Sequence, residues 1–143
     1  MSSAPVTVRL DPRRLEQLKA IAAASATTST ALIAELVRLK IAAGIIPAGI
    51  PGITVTRKAA GVVIELGADQ RHTLTPDAAC RFAKAIRAVV SGESPSTILP
   101  NEQVAIFRQG SGFKIAAPYP SNGVAFPGDL AVDLADLIEE AAK

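Results

Sequence analysis

Val6-Thr7-Val8-Arg9-Leu10-Asp11-Pro12 is a short alternating stretch that runs straight into a helix start. Val6, Val8 and Leu10 alternate with Pro5, Thr7 and Arg9. Period-two alternation sends the first set to one face of a strand and the second set to the other. The apolar set needs a core, whereas the face with a hydroxyl and a guanidinium can meet solvent or a polar partner. Asp11 is a good N-cap, and Pro12 stands where the first helical residue belongs, a position that needs no N–H. Leu15, Leu18, Ala22 and Ser25 then recur along one face of a helix. Thr27-Thr28-Ser29-Thr30 breaks that helix, because hydroxyl side chains compete for nearby backbone groups and favour caps. A second helix is expected to follow, with Leu32, Ile33, Leu36, Val37 and Leu39 as a wide apolar stripe, stopped by Gly44 and Pro47.

One strand and two helices spanning about forty residues cannot bury these stripes unaided, and a lone strand leaves a bare edge. Pairing two chains removes both difficulties. The strands form a two-stranded antiparallel ribbon, and four helices close a shared core. Residues 1–46 are therefore expected to be a symmetric homodimer module.

The segment resembles the ribbon-helix-helix family of DNA-binding proteins, of the Arc and MetJ type. The matching residues are Val6 to Pro12, then Leu15 and Leu18, then Thr28-Ser29-Thr30-Ala31-Leu32-Ile33. The resemblance covers the first third of the chain and rests on a pattern, with no invariant motif. It implies a ribbon inserted into the major groove of double-stranded DNA. Thr7 and Arg9 would then face base edges: Arg9 could donate two hydrogen bonds to guanine, and Thr7 could bond a base or touch a thymine methyl. The family also anchors a backbone phosphate at the start of the second helix, which here falls at Thr28, Ser29 and Thr30. A helix N-terminus suits an anion on physical grounds alone, through its partial positive charge and unsatisfied amides. Pro5 departs from the family, which often has a polar or basic residue at that outward position. Base reading is thereby narrowed to two side chains per strand.

The resemblance implies a dimeric, sequence-specific DNA-binding protein, a transcriptional repressor that blocks an operator sterically. The alternative is an antitoxin, or a plasmid maintenance or transfer accessory protein, whose carboxy-terminal part binds a protein partner. A third expectation is a structural oligomer without nucleic acid.

The chain has 143 residues, no Trp and a net charge of +2. So few aromatics do not suit stacking on single-stranded bases. Up to residue 46 there are six basic side chains against three acidic; from 101 onward the balance reverses to three against six. The positive end is where a DNA contact is expected. Cys80 is the only cysteine, which excludes an internal disulfide and suits a reducing, cytoplasmic setting. No apolar run reaches membrane-spanning length, and no secretory signal pattern opens the chain.

Residues 47–52 read as a linker. Beyond it, residues 53–143 read as two βββα repeats, 53–91 and 104–142, related by a constant shift of 51 without gaps. Arg57 maps to Arg108, Gly61 to Gly112, Ile64 to Ile115 and Pro76 to Pro127. The expected fold class is α+β: a ribbon-helix-helix dimer module followed by a duplicated βββα-βββα domain. This second part is expected to serve oligomerisation or to bind a ligand or protein. Its first helix carries Arg81, Lys84 and Arg87, and its second carries Asp133, Asp136 and Glu140. Solvated faces are one reading of these charges; a register set between repeats or subunits is the other. Arg57, Lys58 and Arg71 are candidates for minor DNA contacts.

Nothing points to an enzyme. His72 is the only histidine, Cys80 lies eight residues on, and no carboxylates stand at ligand spacing. Ala78 and Ala79 suggest that Cys80 is a small packed residue. The Gly-containing turns lack the lysine and helix of a phosphate loop. The expectation is no catalytic residue, no metal and no cofactor.

Overall fold

Cap chemistry sets the helix boundaries of this α+β chain. The structure, a computed structural model, describes residues 6–67 and 70–143. The chain divides into two compact units, one ending at Ala48 and one running from Gly49 to Lys143.

In the first unit, α1 (Pro12–Ala24) starts behind Asp11, whose carboxylate accepts the Arg13 amide at 2.8 Å. Helix α2 (Ser29–Ala42) starts behind Thr28, whose hydroxyl accepts the Ala31 amide at 3.1 Å. Between them the chain turns by 87°. Both helices end in the same hydrogen-bond pattern. Ala26 and Thr27 donate to Ala23 and Ala22, and Gly44 and Ile45 donate to Ile41 and Lys40. That ending needs a left-handed residue just past the helix, and the two positions are Ala26 at φ 53° and Gly44 at φ 79°. The strand expected over residues 6–10 is not formed within the single chain; a strand exists only through a neighbour's hydrogen bonds. Pro5 lies outside the described residues.

The second unit contains β1 (Thr54–Lys58), β2 (Gly61–Glu65), β3 (Arg71–Leu74) and α3 (Pro76–Val90). Then follow β4 (Ser96–Leu99), β5 (Val104–Gln109), β6 (Gly112–Ala116), β7 (Val124–Phe126) and α4 (Gly128–Ala142). The sheets are antiparallel, in the orders β1-β2-β3 and β4-β5-β6-β7. Strand β4 was not expected and makes the second sheet the larger. The linker reading also ends early, because Ile50 is buried in this unit's core.

The constant shift holds only for two strands. Arg57 pairs with Val62 as Arg108 pairs with Phe113, a shift of 51 on both sides. Val62 then pairs with Leu74, but Phe113 pairs with Phe126, so the third strand and the helix are displaced by 52. One extra residue in the loop before β7 accounts for this. Pro76 is therefore the first residue of α3, whereas Pro127 is the N-cap of α4. At the corrected shift, Ala79, Phe82, Ala83 and Ile86 correspond to Ala131, Leu134, Ala135 and Ile138, all fully buried. Gly61 and Gly112 correspond for a steric reason. A Cβ on Gly61 would lie 2.3 Å from the Leu74 carbonyl oxygen, and one on Gly112 would lie 3.1 Å from that of Phe126.

Both sheets and both helices share one core. Helix α3 packs on β4 and β5 of the other sheet, α4 packs on β1 and β2, and the two helices pack on each other. Arg57 and Arg108 lock this crossed arrangement. Arg57 donates to the Ala141 and Lys143 carbonyls at 3.2 Å, at the end of α4. Arg108 donates to the Val89 carbonyl at 3.1 Å, at the end of α3, with its guanidinium 4.9 Å from the centre of the Phe113 ring. A cation is favourable at the negative end of a helix. Arg87 joins the helices directly, donating to Asp136 at 2.7 Å and to Glu139. These two carboxylates push the Arg87 guanidinium further above its ordinary range. Opposite charge on the two helices thus meets at Arg87, while Arg81 pairs with Glu102 at 2.6 Å. No single helix among the described residues is long and apolar enough to cross a membrane.

Candidate nucleic-acid interface

Residues 6–14 are exposed throughout. Thr7 and Arg9 stand in solvent, as expected of base-facing side chains, but so do the residues assigned to the inner face. Val6 is 88% exposed and Val8 77%. The exposure continues along the helices, through Leu15 and Ile21 of α1 and Ile33, Leu36, Val37 and Leu39 of α2, and on to Ile45 and Ile46. In the second unit, Ile98 is the only large hydrophobic residue so exposed among those described. Ala22 and Ala34 are the buried residues of α1 and α2. Two small residues between crossing helices allow close approach but supply little apolar burial. So much uncovered hydrocarbon in one small unit is more than scattered single exposures.

The polar groups around this surface are arranged as follows. The Asp11 carboxylate takes three bonds from Arg13: the amide at 2.8 Å, Nε at 3.0 Å and Nη2 at 2.9 Å. The Arg13 guanidinium, followed by the Arg13 amide, holds the Asp11 carboxyl below the ordinary aspartate range. Arg14 donates to Gln17 at 2.9 Å. At the start of α2, the Thr28 hydroxyl is committed to the Ala31 amide. The amides of Ser29 and Thr30 occupy the first helical turn, where no carbonyl of the helix can reach them. Thr28 and Thr30 are exposed and Ser29 is half-buried. The helix start thus offers two donors and two further hydroxyls, with Thr28 spent on capping. Among the described residues, no hydrogen bond or ion pair links Thr7 or Arg9 to this helix start. The Asp11–Arg13 clamp was missed by sequence reasoning. Its signal was an acidic cap with an arginine two residues on, and that spacing was read only for the cap.

Of the secondary candidates in the other unit, Arg57 is engaged as a helix cap, and Arg71 pairs with Glu65 at 3.1 Å across β2 and β3. Lys58 is exposed at the end of β1. His72 bonds the Glu102 carbonyl through Nε2 at 2.8 Å. Cys80 is exposed, not packed. Ala78 and Ala79 take the core face of α3, and the helical turn carries the next residue outward. Among the described residues, no three His, Cys, Asp or Glu side chains converge as a metal site requires.

Comparison with family models, with curated proteins and with solved structures gives no match to this chain.

Proposed function

We propose that residues 1–46 are a ribbon-helix-helix module and that the protein is a dimeric, sequence-specific binder of double-stranded DNA, acting as a repressor. The observation that carries this reading is the uncovered apolar surface of residues 6–46. It begins on the alternating residues of the amino-terminal segment and continues along α1 and α2. A second copy answers it chemically: Val6, Val8 and Leu10 become the inner face of a ribbon, and the helices of two chains bury one another's stripes. Thr7 and Arg9 are then left on the outer face, where each guanidinium can make a bidentate contact to guanine. The amides of Ser29 and Thr30 supply the phosphate anchor.

Two outward side chains per strand give modest specificity, so tight binding calls for more than one dimer on adjacent sites. The second unit, read as a duplicated βββα domain, already has a core of its own. This favours association or partner binding over the flexible tail of an antitoxin that folds on its toxin.

Selection of bound fragments from genomic DNA, followed by footprinting, tests the reading. At a selected site Arg9→Ala is expected to cost on the order of 1–3 kcal/mol and to relax discrimination at one base pair. Equal affinity and equal specificity in the mutant would remove Arg9 from the interface.

A further inference from the structure

The loop between β6 and β7 is anchored at two points, with an unheld residue between them. At its start, the Ala117 amide donates to Oε1 of the buried Gln70 at 3.1 Å, and the Ser121 hydroxyl lies 3.0 Å from the same oxygen. At its end, Gly123 sits against the Ile115 carbonyl at φ 71°, where a Cβ would come within 2.9 Å of that oxygen. Asn122 stands between these anchors and is exposed. Among the described residues, nothing hydrogen-bonds the Asn122 carboxamide or the Gly123 amide. The chain has one other asparagine, Asn101, which is followed by Glu102. Glu102 is itself held, by Arg81 at its carboxylate and by His72 at its carbonyl.

We infer that Asn122-Gly123 is a site of spontaneous covalent modification, at which the folded protein converts asparagine to isoaspartate and releases β7. The inference is independent of the DNA-binding reading. The Gly123 nitrogen attacks the side-chain carbonyl carbon of Asn122. A new C–N bond forms, the carboxamide C–N bond breaks, and ammonia leaves with the proton that the Gly123 nitrogen gives up. Water then opens the resulting succinimide. Cleavage of the new bond gives aspartate; cleavage of the original peptide bond sends the backbone through Cβ and Cγ and gives isoaspartate. The balance is one water consumed and one ammonia released. Two features admit the attack: the Gly123 amide has no acceptor to give up, and glycine has no Cβ to hold its nitrogen off the side chain. The anchors set the consequence. Isoaspartate adds one carbon to the backbone between Gln70 and the Ile115 carbonyl. The loop there already holds one residue more than its counterpart in the first repeat. β7 is a three-residue edge strand, so few ladder bonds resist that insertion, and it carries Phe126 into the core.

Ageing the full-length folded protein at mildly alkaline pH, followed by tryptic mass spectrometry, tests this. Cleavage gives Ile115–Lys143, with Asn122 as its only side-chain amide, and Ala88–Arg108, with Asn101. The first peptide is expected to gain a mass unit and to resolve into aspartate and isoaspartate forms, at a rate within a few-fold of that in urea. Asn101 is expected to stay unchanged. Asn122→Gln should abolish the gain, because its longer side chain cannot close the five-membered ring. Amide exchange in β7 is expected to rise severalfold in the isoaspartate form. It should keep its wild-type level in Asn122→Asp, which has the charge without the longer backbone. A mass gain in urea with none in the folded chain overturns the site. Isoaspartate formed with β7 exchange unchanged, or β7 freed equally by Asn122→Asp, overturns the release of the strand.

Discussion

Exchanging the residues that end the two amino-terminal helices gives a test in which packing plays almost no part. Ala26 and Gly44 occupy the same place in the same terminating pattern, each with positive φ and the same pair of backbone bonds around it. A left-handed conformation costs a residue with a Cβ about 1–2 kcal/mol. Glycine gives back about 0.4–1 kcal/mol of that advantage through its freer unfolded chain. Ala26→Gly is therefore expected to stabilise the first unit by roughly 0.5–1 kcal/mol. Gly44→Ala is expected to cost a similar amount, because a Cβ there meets nothing within 4 Å and only the backbone term remains. The double swap should be close to neutral, the sites being separate. Urea denaturation followed by far-ultraviolet circular dichroism reads all three, at one fixed protein concentration because the proposed dimerisation would add to the apparent stability. A destabilising Ala26→Gly, or a neutral Gly44→Ala, would refute the argument that left-handed caps close both helices.

Four further outcomes are expected. Arg57→Ala and Arg108→Ala should each lower the stability of the second unit by about 1 kcal/mol through lost bonds to helix-end carbonyls, additively in thermal unfolding. Gly61→Ala should cost on the order of 3 kcal/mol, from a strained φ and a collision with the Leu74 carbonyl, and clearly more than Gly112→Ala in the same measurement. Asp11 has a lowered pKa, so its contribution to α1 is complete above the unfolded aspartate value and is lost as pH falls through the folded one. Helicity measured against pH should show that acid loss in the wild type and lack it in Asp11→Asn, which keeps a capping oxygen without the charge. Phe82→Ala, at a fully buried position, should cost about 3–5 kcal/mol and lower the unit's denaturation midpoint in urea.

Much of this architecture was legible from the chain. Asp11 and Thr28 announced two helix starts, because capping side chains act locally and leave their mark in sequence. The βββα order within residues 53–91 and within residues 104–142 was legible too. β4 was not, since four residues between two prolines are too few to show a period. The slip from 51 to 52 was hidden by the coincidence of Pro76 and Pro127, which share an identity without sharing a position. Arg57 reads as a candidate DNA contact, yet it has the parity of Val55, which packs against the core. Alternation gave its face, but only tertiary packing shows a helix end waiting there for a donor. Within the candidate interface, the exposure of Thr7 and Arg9 and the cap at Thr28 follow from local sequence. The proposed pairing surface would be a property of two molecules, so a single chain carries it only as hydrocarbon left bare.

Backbone amide exchange across residues 6–10 of the full-length protein is the sharpest probe of the pairing on which the reading depends. In the single chain these residues form no strand and lie exposed, so their amides should exchange as freely as those of an unfolded peptide. In a paired ribbon, alternate amides bond across to the second copy and should be protected to the level of the dimer's global stability, with protection fading as dilution separates the chains. Protection that depends on concentration is the expected result; free exchange at every concentration, with α1 and α2 intact, would contradict it.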